Sequence, residues 1–193
     1  MTARLTLICH GSTAAVRAAA FPKDEALDDH GKAGAAKLVG SLPSVDRCWT
    51  SPELRTRQTA DALGLSANIE PMLRECDYAR WAGKAFGEIV ANEPDAASSW
   101  MRDPAAAPHG GESILELVRR VADWLADEGA RDQKSIVITH ATIVRAAIVQ
   151  VLEAPVQSFW RVDVRPLSVT RLTGQGGRWN LSAAGCAAPL NNE

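Results

Sequence analysis

Leu5-Thr6-Leu7-Ile8-Cys9-His10-Gly11-Ser12-Thr13 is the stretch on which the fold turns. Leu5, Leu7 and Ile8 form a short apolar run that stops at His10-Gly11, which reads as a buried strand ending in a turn. A second copy of this context lies far along the chain, where Ser135 to Thr139 is a β-rich run and His140 follows its end. In an open parallel sheet, ligands bind beyond the carboxyl ends of the strands. Both imidazoles therefore converge on one end of such a sheet. Arg55 lies early in a helix that also follows a strand candidate, Arg47 to Thr50. Helix N-termini offer unpaired N–H groups and a positive dipole end. A guanidinium, two imidazoles and those N-termini make a natural phosphate site.

The rest of the chain alternates in the same way. Asp28 or Asp29 is a candidate N-cap for the Ala/Lys/Leu-rich stretch behind it. Ser51-Pro52 reads as an N-cap with Pro at the first helical position, opening a helix that runs to about Leu63 before Gly64. Asn68 to Glu70 is a further short strand. Residues 71–110, broken by Pro94, Pro104 and Pro108, read as an irregular insertion with one or two short helices. Ser113 with Glu116 is a capping-box pair. Behind it, Leu117, Val118, Val121, Trp124 and Leu125 recur at helical spacing. Ala141 to Leu152 is a helix with a largely apolar face, and Gly174-Gln175-Gly176-Gly177 suggests a hairpin near the C-terminus. Strands alternating with helices predict a three-layer α/β/α sandwich on a mostly parallel central sheet, with residues 1–193 as one domain.

Composition narrows the function. A chain of 193 residues, 46% of them hydrophobic, suffices for one well-buried core. A formal net charge of -2 gives no broad basic face for nucleic acid, so any anion site is a local cluster of Arg and His. The four cysteines, Cys9, Cys48, Cys76 and Cys186, form no CxxC pair. No stretch approaches the ~20 apolar residues of a membrane span. The N-terminal run has neither the length nor the cleavage site of a signal peptide. A cytoplasmic location with free thiols is the expectation. Nothing in the pattern indicates an oligomeric state.

Several motifs, taken in order, resemble the histidine phosphatase superfamily, the phosphoglycerate mutase-like proteins. Leu7-Ile8-Cys9-His10-Gly11-Ser12-Thr13 resembles its nucleophile motif, and Ser51-Pro52-Glu53-Leu54-Arg55-Thr56-Arg57-Gln58-Thr59-Ala60 its Ser-Pro-x-x-Arg helix. Leu73-Arg74-Glu75 and Trp81-Ala82-Gly83 are similar to the segment that carries the acid. Gly110-Gly111-Glu112-Ser113 and Val137-Ile138-Thr139-His140 complete the series. The α-ribazole phosphatase and general small-molecule phosphatase branches are nearest in pattern. The resemblance implies a phosphomonoester hydrolase acting on a small phosphorylated metabolite, and binding that substrate or inorganic phosphate. His10 becomes a phosphohistidine. Arg55 and His140 hold the phosphoryl oxygens, and Glu75 protonates the leaving oxygen. Gly11, Thr13 and Ala141 join Arg55 in binding substrate, and neither metal nor organic cofactor is needed. Trp81 is placed at the pocket wall.

Two departures stand out. Cys9 occupies the position of the family's phosphate-binding Arg, and Ala14, Ala15, Val16 and Arg17 replace the stretch that carries its Asn. A thiol offers neither charge nor a planar fork of donors. Arg17, Arg57 and Arg145 are candidate substitutes, and Asp77 competes with Glu75 as the acid. A catalytically impaired protein that binds a phospho-ligand is the alternative reading. A metal-dependent hydrolase using His10, His140 and Glu75 is a third, without support from HxH or HExxH spacing. His30 and His109 lie in loop-like contexts and are expected to be solvated, with a pocket-lining place open to His109 beside Gly110. Restoring the arginine tests the first departure. Cys9→Arg is expected to raise kcat/KM on small phosphomonoesters ~10-fold, because a bidentate cation favours the transition state over the ground state. A folded variant with unchanged kcat/KM would show that the missing arginine does not limit the site.

Overall fold

The computed structural model describes residues 3–129, 131 and 133–186. Six strands form one sheet: β1 (Ala3–Cys9), β2 (Arg47–Thr50), β3 (Asn68–Ile69), β4 (Lys134–Thr139), β5 (Val169–Gln175) and β6 (Arg178–Cys186), in the order β3-β2-β4-β1-β5-β6. The first four in that order are mutually parallel, while β5 and β6 are antiparallel to their neighbours. Gly176 and Gly177 turn the last hairpin, both at positive φ, as a type I′ turn demands.

The helices are α1 (Ala14–Arg17), α2 (Asp29–Ala36), α3 (Leu54–Ala62), α4 (Phe86–Asn92), α5 (Pro94–Arg102), α6 (Ile114–Gly129) and α7 (Ala141–Val151). Period-2 alternation sorts the strand side chains between two cores. Leu5, Leu7 and Val137 pack with α6 and α7 on one face. Ile8, Ile136 and Ile138 pack with Ala35 of α2 and Ala60 of α3 on the other. These are the three layers that the sequence pattern predicts. Among the described residues no helix is long and apolar enough to cross a membrane.

Local signals hold with one exception. Asp28 caps α2, its Oδ1 accepting from Gly31 N at 2.7 Å. Ser113 and Glu116 cap α6 reciprocally, Ser113 N donating to Glu116 Oε2 at 2.8 Å and Glu116 N to Ser113 Oγ at 3.2 Å. The expected N-cap at Ser51 is corrected: α3 begins at Leu54, and Glu53 occupies the cap position without a side-chain cap bond. Ser51 is drawn elsewhere, its hydroxyl lying 2.6 Å from Thr56 Oγ1 and 2.8 Å from His140 Nε2. Between residues 71 and 110, 3-10 turns at Pro71–Leu73 and Ala79–Trp81 precede α4 and α5.

Strand register positions the site. Cys9 pairs with Thr139, and Thr50 with Ile138, so β1, β4 and β2 end nearly level. His10, His140 and Ser51 therefore leave the sheet side by side. The loop that carries His10 is fixed from below by α2. An added Cβ at Gly31 would lie 2.3 Å from Ser12 O and 2.7 Å from Ser12 N. Gly31→Ala must push α2 off the His10 loop, which should cost about 1–3 kcal/mol and lower activity as well. Urea midpoints of the two proteins measure the stability cost, and an unchanged midpoint would contradict this close packing.

Candidate active site

His10 and His140 face each other across the strand ends, with ring centroids 5.3 Å apart. His10 Nδ1 donates to Gly11 O at 2.7 Å, which leaves a lone pair on Nε2. Arg55 Nε approaches that Nε2 at 3.3 Å. Burial, helped by the neighbouring His140 and by the Arg55 charge, pulls His10 from its ordinary 6.5 to about 3. An imidazole so placed is neutral at physiological pH and nucleophilic without prior deprotonation.

Arg55 comes from the first turn of α3 and is 1% exposed. Its Nη1 donates to Lys23 O at 2.8 Å, and its Nη2 reaches His140 Nδ1 at 3.1 Å and Glu75 Oε2 at 3.3 Å. Glu75 is delivered by the turn at Pro71–Leu73. Its Oε1 accepts from Cys76 N at 2.9 Å and from the Thr142 hydroxyl. Burial pushes the Glu75 carboxyl upward, yet His140, Arg55 and the two hydrogen bonds outweigh it and hold it below the usual range. Asp77, the competing acid, is exposed and caps the next turn, accepting from Ala79 N at 2.9 Å.

The other sequence candidates fall around this cage. Gly11 N donates to Thr59 Oγ1 at 3.0 Å, and its Cα backs onto Gly31, so the residue packs and orients the loop. Thr13 caps α1 and donates to Glu25 Oε1 at 3.1 Å, which turns its hydroxyl away from His10. Ala141 opens α7 directly after His140. Cys9 is buried, and burial with the Glu75 charge pushes its thiol up to about 12, so it stays protonated. Arg17 pairs with Asp28 at 3.1 Å, Arg57 is exposed, and Arg145 donates Nε to Val162 O at 2.7 Å over the Phe159 ring. Among the described residues none of these three arginines hydrogen-bonds His10, Arg55, Glu75 or His140.

Two expectations are corrected. His109 is not solvated but 1% exposed, walled by Trp100 and Trp81 with centroids at 4.6 and 5.1 Å. Its Nδ1 accepts from Gly111 N at 3.0 Å, an acceptor that the glycine pair before Glu112 brings within reach. Trp81 is fully buried in the same aromatic cluster and serves as core, not as an open pocket wall. One residue escaped the sequence reading. Glu53 Oε2 lies 3.0 Å from His140 Nε2, and its Oε1 accepts from Glu75 N at 3.1 Å. Its only sequence signal was a carboxylate two residues before Arg55.

One ligand atom each from His10, Glu75 and His140 all lie within 4.8 Å of one another, a spacing compatible with a metal ion. The Arg55 guanidinium already stands among them at 3.1 to 3.3 Å, and His140 Nδ1 lies 3.4 Å from Glu75 Oε2. A divalent ion there would face a buried fixed cation. A neutral imidazole, an arginine and a carboxylate thus meet at one point beyond the strand ends.

Two strand-end imidazoles beside a buried arginine, on a sheet of this order, point to an α/β protein of the phosphatase class. The chain belongs to the histidine phosphatase superfamily (branch 1), whose family pattern matches residues 5–186. It is 24% identical over 143 residues to a putative phosphoserine phosphatase 2 of Hydrogenobacter thermophilus, covering 71% of this chain and 70% of that protein. It is 27% identical over 149 residues to a glucosyl-3-phosphoglycerate phosphatase of Mycobacterium tuberculosis, covering 67% of each. The fold also matches a putative alpha-ribazole-5'-P phosphatase from Escherichia coli, with a TM-score of 0.83 and 21% identity over 96% of this chain and 97% of that one.

The buried neutral His10 makes acid stability a direct readout. Its folded-state proton affinity is depressed, so the unfolded chain binds the extra proton first, and stability falls as pH drops from about 6.5 toward 3. Between pH 7 and pH 4 this linkage is worth about 3 kcal/mol. His10→Ala should therefore lose markedly less stability over that interval than the wild type, measured by urea unfolding at each pH. Parallel losses in the two proteins would mean that His10 titrates normally.

Proposed function

We propose that this phosphatase hydrolyses a small phosphorylated metabolite through a phosphohistidine on His10, with Glu75 as acid and base and with Arg55 and His140 on the phosphoryl oxygens. The observation that carries this reading is the state of His10: neutral, held in one tautomer by Gly11 O, with Nε2 facing Arg55. An incoming phosphate dianion competes with Glu75 and with both imidazoles for the guanidinium. Its negative charge beside Glu75 disfavours the carboxylate, so substrate binding itself loads the acid with a proton. His10 Nε2 then attacks phosphorus as the bond to the leaving oxygen breaks, and that oxygen takes the Glu75 proton. In the second half Glu75 accepts a proton from water, the resulting hydroxide attacks phosphorus, and His10 leaves. Arg55, His140 and the amide of Ala141 in the first turn of α7 stabilise the charge that develops on the phosphoryl oxygens. Gly11 and Thr13 contribute by holding the His10 loop.

The relatives' names point to phosphoserine and a glucosylated phosphoglycerate as types of substrate, so small phosphomonoesters bearing a further polar or anionic group are the first to assay. Arrangement as one domain in the cytoplasm accords with the single shared sheet and the free cysteines. A catalytically silent binding protein is the weaker reading, because Arg55 lies 3.3 Å from both His10 Nε2 and Glu75 Oε2.

Turnover is expected to persist in excess chelator, and rapid quench should trap acid-labile phosphate on the wild type and none on His10→Ala. Loss of activity in chelator that a divalent ion restores would overturn the mechanism. Glu75→Gln should slow alkyl phosphates at least ~10-fold more than p-nitrophenyl phosphate, since only a strongly basic leaving alkoxide depends on the acid. Equal losses on both would reduce Glu75 to a structural role.

A further inference from the structure

We infer that Glu53 is the positioning residue for His140: its carboxylate holds a proton on Nε2, aims Nδ1 at the phosphate, and stabilises the imidazolium that forms when Nδ1 takes up a proton with the incoming anion. The inference rests on the proposed phosphatase reading and deepens it, by identifying where the site finds a second cation.

Glu53 stands at the cap position of α3, yet its carboxylate bonds none of that helix's first amides. Both oxygens are used in the site instead. Oε2 lies 3.0 Å from His140 Nε2, and Oε1 accepts from Glu75 N at 3.1 Å. A carboxylate can only accept, so Nε2 carries the hydrogen. Burial pushes the Glu53 carboxyl up, but its hydrogen bonds with His140, Ser51 and the Glu75 amide bring it down to about 2. Glu53 is therefore ionised throughout the useful pH range. The arrangement is the one by which a carboxylate fixes the tautomer of a catalytic imidazole and favours its charged form.

The need for it lies at Cys9. A buried, protonated thiol stands there, and among the described residues Arg55 is the one arginine bonded within the cage. Without a second guanidinium, a phosphate dianion requires another positive donor. His140 Nδ1 is the available group, at 3.1 Å from Arg55 Nη2 and 3.4 Å from Glu75 Oε2. In the free enzyme Nδ1 accepts from Arg55. When the guanidinium turns its donors to phosphate, Nδ1 is released to take a proton from solvent and donate it as a hydrogen bond. The charged and titratable groups facing His140 are Glu53 and Arg55 from the segment around α3, Glu75 from the Pro71–Leu73 turn, and His10 from the end of β1. Two carboxylates favour the imidazolium, and one guanidinium opposes it until phosphate arrives.

The test compares wild type, Glu53→Gln and Glu53→Ala from pH 4 to pH 9 on p-nitrophenyl phosphate. Gln preserves the size and the acceptor oxygen while removing the charge. The basic limb of kcat/KM is expected to move down by at least one pH unit in both variants. At pH 8 the loss is then about tenfold or more, and at pH 5.5 the variants approach the wild type. A merely structural role predicts equal losses at every pH, or full rescue by Gln, and either result overturns the inference. Inorganic phosphate binding by calorimetry provides a readout independent of turnover. Glu53→Gln should bind it about tenfold more weakly than wild type at pH 8 and about equally at pH 5.5. If the wild type hydrolyses nothing, the phosphatase reading fails on its own, and the phosphate titration still decides the role of Glu53. Equal binding by wild type and Gln variant at pH 8 would refute it.

Discussion

Arg55 is a guanidinium withdrawn almost entirely from water, and the site is arranged around keeping it there. A buried charge without partners costs several kcal/mol, and removing one member of a buried pair leaves that cost exposed. Arg55 meets the requirement with four acceptors from four separate parts of the chain: Lys23 O, His10 Nε2, His140 Nδ1 and Glu75 Oε2. The loop after β1, the end of β4 and the turn before Glu75 are thereby tied to one side chain. The same contacts help keep His10 neutral and Glu75 ionised, so much of the electrostatics of the free site follows from one residue.

A cage so satisfied has consequences for its ligand. On the proposed mechanism, phosphate enters by taking over donors that Glu75 and the histidines already hold. Binding and acid loading are thus coupled, because the carboxylate that loses its arginine also gains a negative neighbour. The substitution of Cys9 for an arginine makes the coupling more important. With one fixed guanidinium instead of two, the contact between Glu53 and His140 is the feature on which the inferred second positive donor depends.

The segment between residues 71 and 110 supports the acid from behind. Tyr78, Trp81, Trp100 and His109 interlock edge to face, and Arg120 ties the backbone of Met72 and Arg74 to Glu112. An irregular stretch of sequence thus joins the core on the α6 and α7 face, and that packing backs the segment that carries Glu75. Its aromatic residues are spent on packing, which explains why Trp81 and His109 lie inside it.

The sequence alone determined the layered architecture and most of the cage. Apolar runs ending in His10 and His140, the capping signals at Asp28 and at Ser113 with Glu116, and the glycine hairpin are local or periodic features, and local geometry enforces them wherever the chain goes. Long-range choices were not legible. Ser51 has the local chemistry of a helix cap, but strand register sets it beside His140, and the imidazole competes successfully for its hydroxyl. Glu53 and Asp77 are both acidic residues in motif neighbourhoods, and only the tertiary arrangement turns one into the site and leaves the other on a surface turn. His109 has the neighbours of a loop residue in sequence and those of a core residue in space. In each case a polar side chain is given its role by whichever partner the fold brings within about 3 Å. Pattern and propensity carry no record of partners that lie tens of residues away.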